Sequence, residues 1–220
     1  MSSERLLLRA LPALATALIG LAAVPGQAAV MFHADPAGFA AAVSPQGFDD
    51  FEAAPWAADT NYAGPVASQG ITWSAANTLR ASTFMPHSGR VALSDVDGSP
   101  DLLDTLTAQL ADEADGFGLW LRSTLLRANV EFALLDANGM VLDSFTQTFF
   151  DQWTFLGFSS DTPFASVRLH ATGSGGGFVD DFLVDDVAYG TARPAQVPEP
   201  GSLALLGLGL AALTRARKQH

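Results

Sequence analysis

The sequence predicts an all-β domain, an antiparallel two-sheet β-sandwich of jelly-roll type with one short helix near its start. Many short segments alternate apolar and polar residues or are rich in β-branched residues, the pattern of half-buried strands. Turn-forming spacers such as residues 173–177 separate them, and no repeat of fixed period is visible. About ten strands are predicted, among them residues 70–74, 90–94, 102–110, 117–122, 130–134, 141–148, 152–158, 165–171 and 178–189.

The predicted helix covers residues 36–43. Asp35 has a side chain suited to the N-cap. Pro36 suits the first helical position, because the N–H that it lacks would have no partner there. Strand patterns follow residue 43, so we expect helix in the domain to be confined to this segment.

Two local patterns fix the direction of side chains and the place of a turn. In residues 117–122 the odd positions are apolar and predict an inner face, so that Trp120 and Arg122 share the outer face. Asn138-Gly139 lies between two runs of alternating apolar residues, which is a strong signal for a β-hairpin.

The charge of the domain narrows the range of its partners. Residues 29–193 contain six arginines, no lysine and 21 acidic residues, which gives a formal charge of −15. Such a surface repels nucleic acid and anionic lipid and attracts cations, so no nucleic-acid partner is expected. The chain has no cysteine, and its stability must come from burial of apolar side chains, with or without a bound metal ion.

Residues 1–28 have the features of a secretory signal peptide. Arg5 and Arg9 precede an apolar run over residues 10–24, which predicts a short hydrophobic helix. Proline, glycine and alanine follow directly, and Ala28 fits the small-residue rule for cleavage. We therefore expect an exported protein whose β-sandwich domain occupies residues 29–193.

Residues 194–220 combine a short motif, an apolar stretch and a basic cluster, in that order. The apolar stretch at residues 203–213 is shorter than the roughly 20 residues that a relaxed membrane helix needs. Basic residues behind such a stretch stay on the cytoplasmic side, which leaves the domain outside. The motif and the cluster consist of Val197, Pro198, Glu199, Pro200, Arg215, Arg217 and Lys218.

This three-part tail resembles the PEP-CTERM sorting signal. The resemblance implies processing by an exosortase-type enzyme, in bacteria that make extracellular polysaccharide. It also implies delivery to the cell envelope, the cell surface or a biofilm matrix, after the tail has anchored the chain transiently in the inner membrane as a helix. Short segments such as residues 70–73 and 184–187 resemble those of PEP-CTERM β-sandwich proteins.

Acidic residues at both ends of the domain suggest one structural Ca²⁺. In jelly rolls the first and last strands commonly run side by side, which would bring Asp49 and Glu52 near Asp185 and Asp186. Crowded carboxylates repel one another unless a cation lies among them, and calcium prefers about six to eight oxygen ligands. The family resemblance also implies a calcium between an early Glu and a last-strand Asp. The alternative is that all four carboxylates are solvated surface groups.

The sequence specifies no reaction. It contains no G-x-S-x-G motif, and its histidines lack the H-x-x-x-H spacing of zinc hydrolases. These observations favour a non-catalytic surface or matrix protein. The alternative is a module that binds extracellular polysaccharide, with Trp120 as the stacking residue because Leu119 and Leu121 claim the inner face. A glycan-active enzyme is the less favoured third interpretation.

Overall fold

A computed structural model describes residues 29–96, 104–124, 126–172 and 182–193 of the chain. These residues form a β-rich domain with one short helix, as the sequence predicts. The predicted signal peptide at residues 1–28 and the sorting tail at residues 194–220 lie outside the described residues.

The predicted helix and its cap are confirmed. Helix α1 spans Pro36–Ala42, and the Asp35 carboxylate accepts a hydrogen bond from the Gly38 N–H at 2.8 Å. The strands are β1 (Val30–His33), β2 (Val43–Asp49), β3 (Thr60–Tyr62), β4 (Val66–Ser68), β5 (Ile71–Ala75), β6 (Leu79–Ser82), β7 (Ala92–Asp95), β8 (Thr105–Ser123), β9 (Arg127–Leu135), β10 (Val141–Phe150), β11 (Thr154–Ala171) and β12 (Phe182–Ala192).

The strands form an antiparallel sandwich in which the long strands β8 and β11 run through both layers. Residues 105–110 of β8 pair with β5 and with the second half of β11. Residues 116–123 of β8 pair instead with β12 and with the first half of β11. One layer is therefore β4-β5-β8-β11-β9-β10, and the other is β1-β11-β8-β12, with β2 and β7-β6-β3 beyond β12.

The hydrophobic core fills the space between the two layers. Trp73, Phe117, Phe132 and Phe158 are fully buried in it. The rings of Phe132 on β9 and Phe158 on β11 lie 6.2 Å apart and join the layers by an edge-to-face contact. Because burial of each such side chain contributes about 1.5–3 kcal/mol, this core explains how a domain without disulfides is stable.

The continuity of β8 and β11 differs from the sequence prediction. Residues 102–110 and 117–122 were predicted as separate strands, with residues 111–116 between them. The chain instead stays extended there, and Ala114 pairs with Phe164 of β11 across a register shift. The acidic side chains of Asp112 and Glu113 are exposed where the strand passes from one layer to the other.

The predicted hairpin is also confirmed, and it joins β9 to β10. The Asp136 carboxylate accepts hydrogen bonds from the backbone N–H groups of Asn138 and Met140, each at 2.8 Å. These bonds, that of Met140 foremost, hold the pKa of Asp136 below its usual value. Gly139 has a φ of 79°, a conformation that glycine adopts without strain.

The outer face of β8 carries a second, smaller hydrophobic cluster. Phe39 of α1, Val43 of β2 and Phe155 of β11 form this cluster, and Trp120 packs against it. Helix α1 therefore covers the outward face on which the sequence places Trp120. This arrangement positions the candidate site.

Candidate functional site

The expected neighbourhood of the early acids and the last strand is confirmed. Strand β2 pairs with β12, and Asp49 lies opposite Val187. The Asp49 carboxylate is buried, and it accepts hydrogen bonds from the Phe51 N–H at 3.1 Å and the Trp73 Nε1–H at 3.2 Å. Burial raises the pKa of Asp49, although these donors act in the opposite direction.

Glu52 lies beside Asp49 in sequence but binds a different part of the chain. Its Oε1 accepts hydrogen bonds from the backbone N–H groups of Arg90 at 2.6 Å and Val91 at 2.9 Å. Gly89 has a φ of 51°, and a Cβ there would lie 2.2 Å from the carboxyl carbon of Glu52. Glycine is therefore required at this position for the carboxylate to approach the loop.

Asp185 and Asp186 bind the same loop from the other side. Asp185 Oδ2 accepts hydrogen bonds from the backbone N–H groups of His87 at 2.8 Å and Ser88 at 3.1 Å. Asp186 Oδ1 accepts one from the Ser88 hydroxyl at 2.8 Å, and its Oδ2 lies 2.6 Å from His87 Nδ1. We call residues 87–91 the clamped loop, because three carboxylates hold it.

Adjacent strand residues normally face opposite ways, yet Asp185 and Asp186 both reach the clamped loop. The reason is an irregularity in β12, where the pairing with β8 shifts between Asp185 and Ala188. Asp186 has a φ of 47°, a left-handed conformation that aspartate tolerates better than most residues. Strained backbone of this kind persists where the surroundings fix it, and it clusters at functional sites.

The buried carboxylate of Asp185 has an unusual acidity. Burial raises its pKa to about 7, and the charge of Asp186 acts in the same direction. The N–H groups of His87 and Ser88 oppose this shift without cancelling it. Below neutral pH the group therefore holds a proton that an ordinary aspartate would lose.

The structure brings three of the four predicted calcium ligands to one loop, while Asp49 binds Trp73. The oxygens of Asp185 and Asp186 already accept hydrogen bonds from protein donors. Among the residues that the structure describes, no group of three or more His, Asp or Glu side chains is arranged to hold a metal ion. The calcium ion stays a prediction, and equal melting temperatures in EDTA and in millimolar calcium would refute it.

Trp120 belongs to an aromatic cluster at the clamped loop. The His87 ring stacks on the Trp120 indole, with centroids 3.9 Å apart and planes 17° from parallel. Trp153 meets His87 edge to face at 5.6 Å, and the Arg122 guanidinium lies over the Trp153 ring at 5.9 Å. Both indoles are partly exposed, and a side chain of the protein covers one face of each.

A groove opens between α1, β2 and the outer face of β8 and β11, on the other side of Trp120. We call it the α1 groove. It encloses about 330 Å³, and Asp186 is the charged residue in its lining. Its walls include Phe39, Ala40, Pro45, Phe48, Trp120 and Phe155.

The sequence identified Trp120 as an outward residue but did not identify what surrounds it. His87 carries no signal, because its contact with Asp186 spans 99 positions and depends on the bulge in β12. Phe39 lies within the predicted helix and Phe155 within a predicted strand. Nothing in their spacing showed that they line one groove.

Comparison with known proteins identifies the tail. Residues 196–218 match the PEP-CTERM protein-sorting motif. A search of curated proteins finds no match to this chain. Within the described ranges, no helix is long and apolar enough to cross a membrane.

The solved structures that resemble the domain are distant. An arabinose-bound α-L-arabinofuranosidase is 12% identical with a TM-score of 0.42, and the match covers 68% of this chain and 26% of that protein. A family 29 carbohydrate-binding module is 10% identical with a TM-score of 0.38, covering 58% of this chain and 86% of the module. The enzymatically active domain of tailspike protein 4 from bacteriophage CBA120 is 13% identical with a TM-score of 0.39, covering 69% of this chain and 21% of that one.

These likenesses are too remote to assign a ligand or a reaction, whereas the tail match is specific. It includes the proline-glutamate-proline motif, the apolar stretch and the basic cluster that the sequence analysis singled out. This chain is a β-rich protein with a PEP-CTERM sorting motif at residues 196–218, which marks it as exported and processed by an exosortase.

Proposed function

We propose that the protein is a non-catalytic component of the cell surface or extracellular matrix. In this proposal an exosortase-type enzyme processes the tail after residues 203–213 have held the chain transiently in the inner membrane. The sorting motif at residues 196–218 is the observation that carries the proposal. The motif determines where the protein is sent, and the β-rich domain is the part of the protein that reaches the cell surface or matrix.

The described domain supports a structural role rather than catalysis. Asp49, Glu52 and Asp185 accept hydrogen bonds from backbone N–H groups, so they fasten the fold instead of standing free as an acid–base pair. A glycosidase needs two carboxyl groups that flank a sugar-binding cleft about 5–10 Å apart. Among the described residues that line the α1 groove, Asp186 is the one charged residue.

Removal of residues 198–220 tests the delivery. The truncated chain should still be exported, but it should not be processed at its C-terminus or retained by the envelope as the full chain is. The control replaces Asp161, an exposed residue of the domain, by Asn and should be processed normally. Identical processing and fractionation of the truncated and full-length chains would refute the proposal.

Binding of extracellular polysaccharide is the second candidate function. The observation that favours it is the partly exposed pair of indoles, Trp120 and Trp153, with His87, Arg122 and Asp186 beside them. Sugar rings stack on aromatic faces, and neighbouring polar groups fix their orientation. The covered indole faces weaken this candidate, because His87 must move before a sugar can stack on that face of Trp120.

A glycan array separates the two candidates. Specific binding by the exported protein that is lost in Trp153→Ala would favour the carbohydrate-binding module. Trp56→Phe is the control, since Trp56 is buried in the core away from the cluster. Absence of binding to neutral and charged glycans alike would leave the structural role.

A further inference from the structure

The α1 groove has a lining that suits an apolar peptide better than a sugar. Its walls are aromatic, aliphatic and proline side chains, and the charged group, Asp186, is bonded to His87 and Ser88. A sugar needs several convergent polar groups to fix its orientation, which this lining does not supply. Aromatic-lined grooves of this type bind proline-rich segments in the polyproline II conformation.

A proline-rich segment of the same chain follows directly after the residues that border the groove. At the end of β12 the Arg193 N–H donates a hydrogen bond to the Ala42 carbonyl at 2.7 Å. Its side-chain Nε donates to the Ser44 hydroxyl at 3.2 Å. Val43 and Pro45, on either side of Ser44, line the groove. The described chain therefore ends, at Arg193, beside the rim of the groove.

We propose that residues 194–200 occupy the α1 groove. Three of these seven residues are prolines, at 194, 198 and 200. Proline-rich chains favour polyproline II, in which seven residues reach about 22 Å, and they lose little entropy on binding. Because the segment is tethered at Arg193, its effective concentration is on the order of millimolar, so contacts with an intrinsic dissociation constant below about a millimolar suffice to fill the groove.

This proposal goes beyond the proposed function, because it gives the folded domain a part in sorting. Residues 198–200 are the proline-glutamate-proline core of the sorting motif. In this proposal the folded domain therefore holds the sorting motif against its own surface.

Disulfide crosslinking in the full-length chain tests the proposal, because the protein has no cysteine of its own. Ala40→Cys places a thiol on an exposed groove residue, and Val197→Cys places one in the tail. This pair should form an intramolecular disulfide in most molecules, seen as a faster band on a non-reducing gel. The control pair uses Met140→Cys, a residue of the other layer that is 68% exposed, and should crosslink severalfold less.

Substitution of two phenylalanines of similar exposure tests whether the disulfide forms because the tail binds in the groove. Phe48 lines the groove and is 52% exposed, whereas Phe150 is 50% exposed and lies on β10. Phe48→Ser should lower the yield of the 40–197 disulfide severalfold, and Phe150→Ser should leave it unchanged. Both are exposed, so neither change should unfold the domain.

Each remaining outcome overturns the proposal. Equal disulfide yields for the 40–197 and 140–197 pairs would mean that the tail does not bind in the α1 groove. A disulfide-linked dimer would mean that the groove holds the tail of a second copy, and a lower yield of the 40–197 disulfide when it is formed in the presence of a neutral oligosaccharide would assign the groove to glycan. The readout does not depend on processing, so failure of sorting and failure of docking are distinguished.

Discussion

Single residues show how an acidic chain uses its carboxylates internally. Glu52, Asp185 and Asp186 fix the clamped loop by binding backbone N–H groups and the side chains of His87 and Ser88. The sequence predicted that the early acids lie near the last strand, and the pairing of β2 with β12 confirms this, although the first strand, β1, pairs with β11. It did not show their partners, since loop donors about 40 to 100 positions away have no local signature.

Loss of the Glu52 carboxylate should destabilise the domain. Glu52→Ala leaves the Arg90 and Val91 N–H groups without their acceptor. Water replaces the carboxylate at the exposed Arg90 N–H, so the loss comes mainly from the partly buried Val91 N–H and is about 1–3 kcal/mol. Glu52→Gln keeps an acceptor oxygen and should lose less. The control is Glu113→Ala on an exposed position, expected within about 0.5 kcal/mol of the parent. Urea unfolding measures all three, and equal losses for Glu52→Ala and Glu113→Ala would contradict the clamp.

Stability should fall as pH rises from about 4 to about 7. In the unfolded chain Asp185 titrates near 3.8, whereas in the folded protein its pKa is raised to about 7. Between these values the folded state holds the additional proton, so raising the pH favours unfolding. The full effect is on the order of 2–4 kcal/mol, and stability should level off above pH 7. Asp49, whose pKa is also raised, acts in the same direction.

Urea unfolding at pH 5 and at pH 8 measures this dependence. Asp185→Asn should flatten the slope, whatever its effect on overall stability. Because the His87 ring contacts Asp186, His87→Gln is measured beside Asp185→Asn to separate loss of that contact from loss of the Asp185 carboxyl group. A stability that rises over this interval in the parent protein would contradict the assignment of a raised pKa.

At the scale of elements, short sequence patterns correctly predicted the helix and the hairpin, whose conformations depend on neighbouring residues. Helix α1 followed from Asp35 and Pro36, and the β9–β10 hairpin from Asn138 and Gly139. The continuity of β8 and β11 could not be predicted, because the polar residues between their halves are typical of a turn. Strand pairing with the partner keeps them extended.

The close contact of β2 with β12 requires a glycine at position 190. A Cβ at Gly190 would lie 1.9 Å from the Ser44 carbonyl oxygen, so Gly190→Ala must push the two strands apart. Forced overpacking of this kind costs about 1–3 kcal/mol. Gly64→Ala is the matched control, since a Cβ there meets nothing within 4 Å. Equal urea midpoints for the two variants would show that the strands separate freely.

At the scale of the whole molecule, two strands shared by both layers make the sandwich one cooperative unit. Unfolding either layer breaks β8 and β11 and exposes the common core. Calorimetry should therefore show a single transition, with equal calorimetric and van't Hoff enthalpies. Two resolved transitions would mean that the layers unfold independently.

The clamped loop has a consequence for protein engineering. Glu52 and Asp185 accept hydrogen bonds from the main-chain N–H groups of four loop residues: His87, Ser88, Arg90 and Val91. Every amino acid except proline provides such a group. Position 90 should therefore tolerate any side chain except proline, whereas Ser88 must be kept because its hydroxyl donates to Asp186, and Gly89 because Glu52 lies against it. The loop is thus suited to a display library on a scaffold without disulfides, with new recognition selected next to the indole of Trp120.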